Sequence, residues 1–149
     1  MISRKLIFIR QSFQNRLAVI DFIAAMADKA GMLHDQQKFI ATVLDREADI
    51  STSIGYGIAI PHGKTDAVKE AFIAYVNVKE AFEWDNITKD RVKAIFLIGV
   101  PEKHTNKLHL KAISEISKKL INNSFREELF RCQTEKEAFK LLNSINKKL

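Results

Sequence analysis

The sequence predicts an α/β fold: a single compact domain with a mixed β-sheet and helices on both faces. Three observations predict it. Segments with apolar residues at helical spacing alternate with short β-rich runs. One of those runs, Ala94 to Val100, is almost wholly apolar, as suits a central strand covered on both faces. No internal repeat, low-complexity tract or linker divides the 149 residues, a length that fits one domain with a real core.

The elements follow in order along residues 1–149. Residues 1–14 begin with a basic stretch whose apolar run, Leu6 to Ile9, is too brief for a signal sequence, and they receive no element. Phe13, Leu17, Ile20, Ala24 and Ala27 recur at helical spacing, and Gly31 follows as a stop. Asp35 caps a second helix, with Phe39, Ile40, Val43 and Leu44 on one face and an end near Arg46. Ile58 to Ile60 reads as a short buried strand that Pro61 should end, because proline has no N–H for the ladder. Phe72 to Val78 is β-rich and should join the same sheet, and Pro101 closes the strand that begins at Ala94. Leu110, Ile113, Ser117 and Leu120 form a helical stripe with Ile116 beside it. Ser124 to Glu127 and Thr134 to Glu137 are capping-box patterns, opening a short helix and a final helix bearing Ala138, Phe139, Leu142 and Ile145.

Composition narrows the function classes. No stretch approaches the roughly 18 apolar residues of a membrane span, so direct membrane insertion is not expected and a cytoplasmic location is. Cys132 is alone, which excludes an internal disulfide and reads as a small buried side chain on a helix. The formal net charge is +6. Much of the excess (Lys118, Lys119, Lys140, Lys147, Lys148) is scattered on helix faces without interleaved aromatics, so it reads as solvated surface and not as a nucleic-acid site. His104 and His109 are five residues apart, not the i, i+4 spacing of two ligands on one helix face, so no metal is expected. His34 and His104 read as loop residues.

The chemistry concentrates between Arg46 and Gly63. His62 directly follows an apolar run and stands between a stiff proline and a glycine that leaves room beside its ring. A neutral imidazole nitrogen is available near pH 7, since the free side chain titrates at about 6.5. Arg46 offers a planar guanidinium for phosphate oxygens. Ser51, Thr52 and Ser53 offer hydroxyls, and the Gly55-Tyr56-Gly57 segment can turn N–H groups toward an anion. Phosphoryl transfer is mostly positioning and charge stabilisation, so these parts suffice for it. The same residues also fit a histidine packed in a tight turn of a non-catalytic binding module.

The pattern Arg46-Glu47, Ser51-Thr52, Ile54-Gly55-Tyr56-Gly57 and Ile58 to His62 resembles the phosphorylation-site signature of the fructose/mannitol-type enzyme IIA domain of the bacterial sugar phosphotransferase system. A second match lies at Leu108-His109-Leu110-Lys111, where that family has another active-site histidine. The resemblance covers the chain from about Ile20 onward. Ser53 departs from it, standing where a glycine is common, and Met1 to Gln14 match poorly. It implies that His62 carries the phosphoryl group, that His109 and Arg46 assist, and that Ser51, Thr52 and Gly63 lie against the phosphoryl oxygens. It implies no cofactor or metal. The implied partners are a histidine-containing phosphocarrier protein as donor and an enzyme IIB component as acceptor, acting with a IIC permease. The acceptor is expected to use a cysteine, and Ile54, Tyr56 and Ile60 are candidates for an apolar rim that both partners touch. The same family includes nitrogen-related regulatory homologues, in which phosphorylation controls binding instead of sugar uptake.

Overall fold

The computed structural model describes residues 1–103 and 107–149. His104 therefore lies outside the described residues. The elements run β1 (Ile2–Gln11), α1 (Arg16–Lys29), α2 (Gln36–Asp49), β2 (Ser53–Gly55), β3 (Ile58–Ala59), β4 (His62–Thr65), β5 (Phe72–Glu83), β6 (Arg91–Pro101), α3 (Leu108–Leu120), α4 (Asn123–Arg131) and α5 (Glu135–Asn146). The mixed sheet has the order β1-β5-β6-β3-β2, with β4 also on β6. β1 lies parallel to β5, β5 and β6 form an antiparallel pair, and β3 and β4 run parallel to β6.

Alternation along β5 and β6 makes three layers. Phe72, Ala74, Val76, Ile95 and Leu97 pack with Val19, Ile20 and Ile23 of α1 and Phe39 and Val43 of α2. Their neighbours Ile73, Tyr75, Ala94, Phe96 and Ile98 face the other way, onto Ile116, Leu129, Leu142 and Ile145 of the last three helices. Successive side chains of a strand point to opposite faces, so a run buried on both sides needs no polar positions. The expectation of one α/β domain with helices on both faces holds.

The caps show why the helices start where they do. Asn15, Asp35 and Thr134 accept from the backbone N–H groups of Ala18, Lys38 and Glu137. The helix expected from Ser124 is capped instead by Asn122, whose Oδ1 accepts from Phe125 N, so Ser124 falls in the first turn. α2 runs past Arg46 to Asp49, which puts Arg46 in its last turn. Gly31, at φ +79°, provides the left-handed residue just beyond α1. The buried stripe of α3 is Ala112, Ile116 and Leu120, which leaves Leu110 and Ile113 for a different face.

Two corrections bear on the site. The first concerns residues 1–14, whose first strand forms a sheet edge on β5 with register shifts along its length. The second concerns Pro61: β3 stops at Ala59, and pairing on β6 resumes directly after the proline as β4. Ile58 and Ala59 pair with Ala94 and Ile95, and His62 and Gly63 pair with Ile98 and Gly99 in the same register. Pairing resumes at once because Pro61 is needed there only as an acceptor: its carbonyl takes the N–H of Ile98 at 3.0 Å.

Close packing on β6 depends on one glycine. A Cβ at Gly99 would lie 2.7 Å from Phe72 Cζ and 3.2 Å from Phe39 Cε1. Gly99→Ala should therefore overpack the centre of the first core and cost roughly 1–3 kcal/mol, read as a lowered midpoint in urea denaturation.

Candidate functional site

β4 begins with His62, and the break just before it shapes the ring's environment. Ile60 sends its N–H to Thr52 O at 3.0 Å, bridging to the loop before β2. Its carbonyl accepts from Nδ1 of His62 at 2.9 Å. A carbonyl oxygen can only accept, so Nδ1 carries the proton and Nε2 keeps its lone pair.

His62 lines an open depression of about 460 Å³ together with Thr42 and Arg46 of α2, Lys64 of β4 and His109 of α3, with Ile54, Ile60, Leu110 and Ile113 as apolar walls. The ring centroids of His62 and His109 are 6.2 Å apart. His109 Nδ1 is buried with no partner among the described residues. The two strands of sequence that carry the histidines, far apart in the chain, meet because β4 and the end of β6 lie side by side and α3 follows β6 directly.

Burial holds the His62 pKa below the ordinary value of 6.5, and the Arg46 charge adds to the effect; the Ile60 contact and Glu47 oppose it. His109 is also lowered, by burial first and then by His62 and Lys64. Both rings are thus neutral at pH 7. In an NMR pH titration of the imidazole protons, both midpoints should fall below 6.5. The unfolded chain then binds protons before the folded one does. Stability contributed by these rings is full above about pH 6.5 and is lost as pH falls toward their depressed folded values.

Arg46 reaches the depression from the last turn of α2, with Nη1 donating to Ile50 O at 2.8 Å. Gly63 lets the helix come close: a Cβ there would meet Val43 Cγ2 at 3.1 Å and Thr42 Cγ2 at 3.4 Å. Ser51 and Thr52 line the same wall. Both donors of Thr52 are committed to Glu47, its N–H to Oε2 at 3.2 Å and its hydroxyl to Oε1. Ser51 Oγ accepts from Ser53 N at 3.2 Å, and Ser53 Oγ donates to Asp90.

The Gly55-Tyr56-Gly57 segment is not part of the depression. It is a tight hairpin between β2 and β3, with Tyr56 and Gly57 at φ +57° and +77°. Its Gly57 carbonyl accepts from Lys93 and Ala94 of β6, and the Tyr56 ring lies under the Arg126 guanidinium at 4.2 Å. Of the rim candidates, Ile54 (40 % exposed) and Ile60 line the depression and Tyr56 does not. Leu110, 49 % exposed, and Ile113 are rim residues that the sequence did not reveal.

Glu47 is the organising residue whose role the motif did not disclose. Only 3 % exposed, it also accepts from Trp84 Nε1 at 3.2 Å and pairs with Arg16 Nη1 at 3.5 Å. It pins the Thr52 turn, and through the Thr52 carbonyl the Ile60 backbone, from beneath. A buried acid one residue after a site arginine was the available signal. Trp84 and Arg16, its distant partners, gave none. Elsewhere, Cys132 is buried just beyond α4, and His34 is exposed. Among the described residues, no helix is long and apolar enough to cross a membrane.

Residues 1–145 match a family model described as the phosphoenolpyruvate-dependent sugar phosphotransferase system, EIIA 2. The matched range takes in residues 1–14. The chain is 34% identical, over 87% of its length, to the PTS system fructose-specific EIIABC component of Bacillus subtilis, of which it spans only 20%. It is 30% identical to the PTS system fructose-like EIIA component of Escherichia coli K12, covering 85% of this chain and 84% of that one. In fold it is similar to the nitrogen regulatory protein IIA-Ntr of Neisseria meningitidis, with TM-score 0.84, 24% identity and 95% of each chain covered.

Proposed function

Since the chain belongs to the EIIA 2 family of the sugar phosphotransferase system and so has a phosphocarrier, transferase role there, we propose that His62 is the residue that carries the phosphoryl group. One observation carries the reading: Nδ1 of His62 is held by the Ile60 carbonyl, which leaves Nε2 as a neutral nucleophile in an open depression beside Arg46 and His109.

The donor is a histidine-containing phosphocarrier protein. Nε2 of His62 attacks the phosphorus of a protonated phosphohistidine in line. A new N–P bond forms, the donor's N–P bond breaks, and its electron pair leaves with a neutral imidazole. His62 becomes a phosphoimidazolium, its Nδ1–H still donating to the Ile60 carbonyl. The positive ring beside the dianionic group keeps the group transferable. Arg46 lies where it can donate to phosphoryl oxygens, and Ser51, Thr52 and Gly63 line the same wall. His109, with an unpartnered nitrogen, is placed to hydrogen-bond an oxygen of the same group. No step requires a metal.

The phosphoryl group then passes to a cysteine of an EIIB partner, acting with a IIC permease for fructose or a related sugar such as mannitol. Support comes from the fructose-specific relative whose name joins the A, B and C components. Ile54, Leu110 and Ile113 around the depression suit brief docking by two successive partners in the cytoplasm. The test is intact-mass spectrometry after incubation with phosphoenolpyruvate, enzyme I and the phosphocarrier protein. A single acid-labile phosphoryl adduct that EIIB discharges is the expected result. An adduct that no EIIB removes would favour a phosphorylation-dependent regulator of the nitrogen-related kind. No adduct at all, with active upstream proteins, overturns the reading.

A further inference from the structure

Lys64 is a cation in the depression whose presence neither the packing nor the motif explains. It follows His62 by two residues in β4, so both side chains leave the same face of the strand while Gly63 and Thr65 turn to the buried side. It lines the same depression as Arg46, His62 and His109. Arg16, by comparison, is held by the buried Glu47 on the other side of α2. Lys64 forms no ion pair among the described residues. Lys64 is partly buried along the wall of the depression, and an anion that comes and goes there would give its ammonium a partner. Arg46, for its part, already spends Nη1 on the Ile50 carbonyl.

We propose that Lys64 is a second cationic ligand of the phosphoryl group, closing over its oxygens from the β4 side while Arg46 serves from α2. The inference rests on the reading of His62 as acceptor. The location of Lys64 suits such a ligand, since it lines the depression with both His62 and His109, whose ring centroids are 6.2 Å apart. Lys64 neither gains nor loses a proton in the transfer. It donates N–H bonds that shorten as the group moves onto Nε2, and a flexible ammonium can follow that motion where a tethered guanidinium cannot.

The test compares wild type, Lys64→Gln and Lys64→Arg as acceptors from the phosphocarrier protein, with adduct formation followed by rapid-quench intact mass. Lys64→Gln should lower the maximal transfer rate about tenfold with little change in KM for the carrier. Lys64→Arg should restore most of the rate. A wild-type rate in Lys64→Gln overturns the proposal. So does an equal loss in both variants accompanied by a lowered unfolding midpoint, which marks a structural lysine. Absence of an adduct in the wild type would instead remove the acceptor reading on which the proposal stands.

Discussion

His62→Ala should leave a folded protein that takes no phosphoryl group. The expected loss of acceptance is at least about 10⁴-fold, because no other nucleophile in the depression is equipped to replace the ring. His109, the nearest candidate, has among the described residues neither a carbonyl fixing its tautomer nor a backbone anchor of the kind Ile60 gives His62. The fold should tolerate the change. The ring is only half-buried and contributes a single hydrogen bond, worth about 1 kcal/mol. Intact mass after incubation with the upstream phosphotransferase proteins reads the first effect, and thermal denaturation reads the second. An adduct of unchanged size and acid lability in His62→Ala would move the acceptor to another residue.

The second large effect is on stability. Glu47→Ala should cost about 3–5 kcal/mol, because it strips the partner from Arg16 and leaves the Thr52 and Trp84 donors unsatisfied in the interior. The damage should also reach the site. Thr52 loses both its anchors, the Thr52–Ile60 bond loosens, and the carbonyl that orients His62 sits on that same isoleucine. Urea denaturation with tryptophan fluorescence suits the measurement, since Trp84 contacts the mutated group directly. Acceptance should fall even at temperatures where the variant remains folded. Glu47→Gln retains the shape and should lose less. If the stability of Glu47→Ala lay within about 1 kcal/mol of wild type, the buried carboxylate would not be an anchor of the turn.

Much of this was legible in the chain. Asp35 and Thr134 announced their helices because a side-chain cap is a local interaction. The apolar run through Ala94 to Val100 announced its central place because burial on two faces leaves no polar positions. His62, Arg46 and His109 were readable from a motif, and the fold brings all three to one depression.

What was illegible has physical causes. β1 shows no clean alternation because register shifts interrupt its pairing with β5, and each shift resets which face a residue takes. Asn122 outcompeted Ser124 as a cap although the Ser-x-x-Glu pattern is there, since the chain arriving from α3 sets which residue is extended. Gly55-Tyr56-Gly57 looked suited to an anion, but adjacent left-handed residues equally make a hairpin, and the free edge beside β6 decided it. Glu47 depends on Arg16, far before it in the chain, and on Trp84, far after it, and no local window contains either.

The unbroken register through Pro61 has a consequence for signalling. With Ala59 and His62 both paired to β6, a strand buried over Ala94 to Pro101, the histidine rides on the centre of the sheet. On the proposed reading, gaining a phosphoryl group would alter the local charge with little movement of the backbone beneath it. The loaded and unloaded proteins would present almost one shape to their partners. A donor and an acceptor visiting the same surface in turn must read its electrostatic potential, as one reads the sign on a battery terminal whose casing never changes.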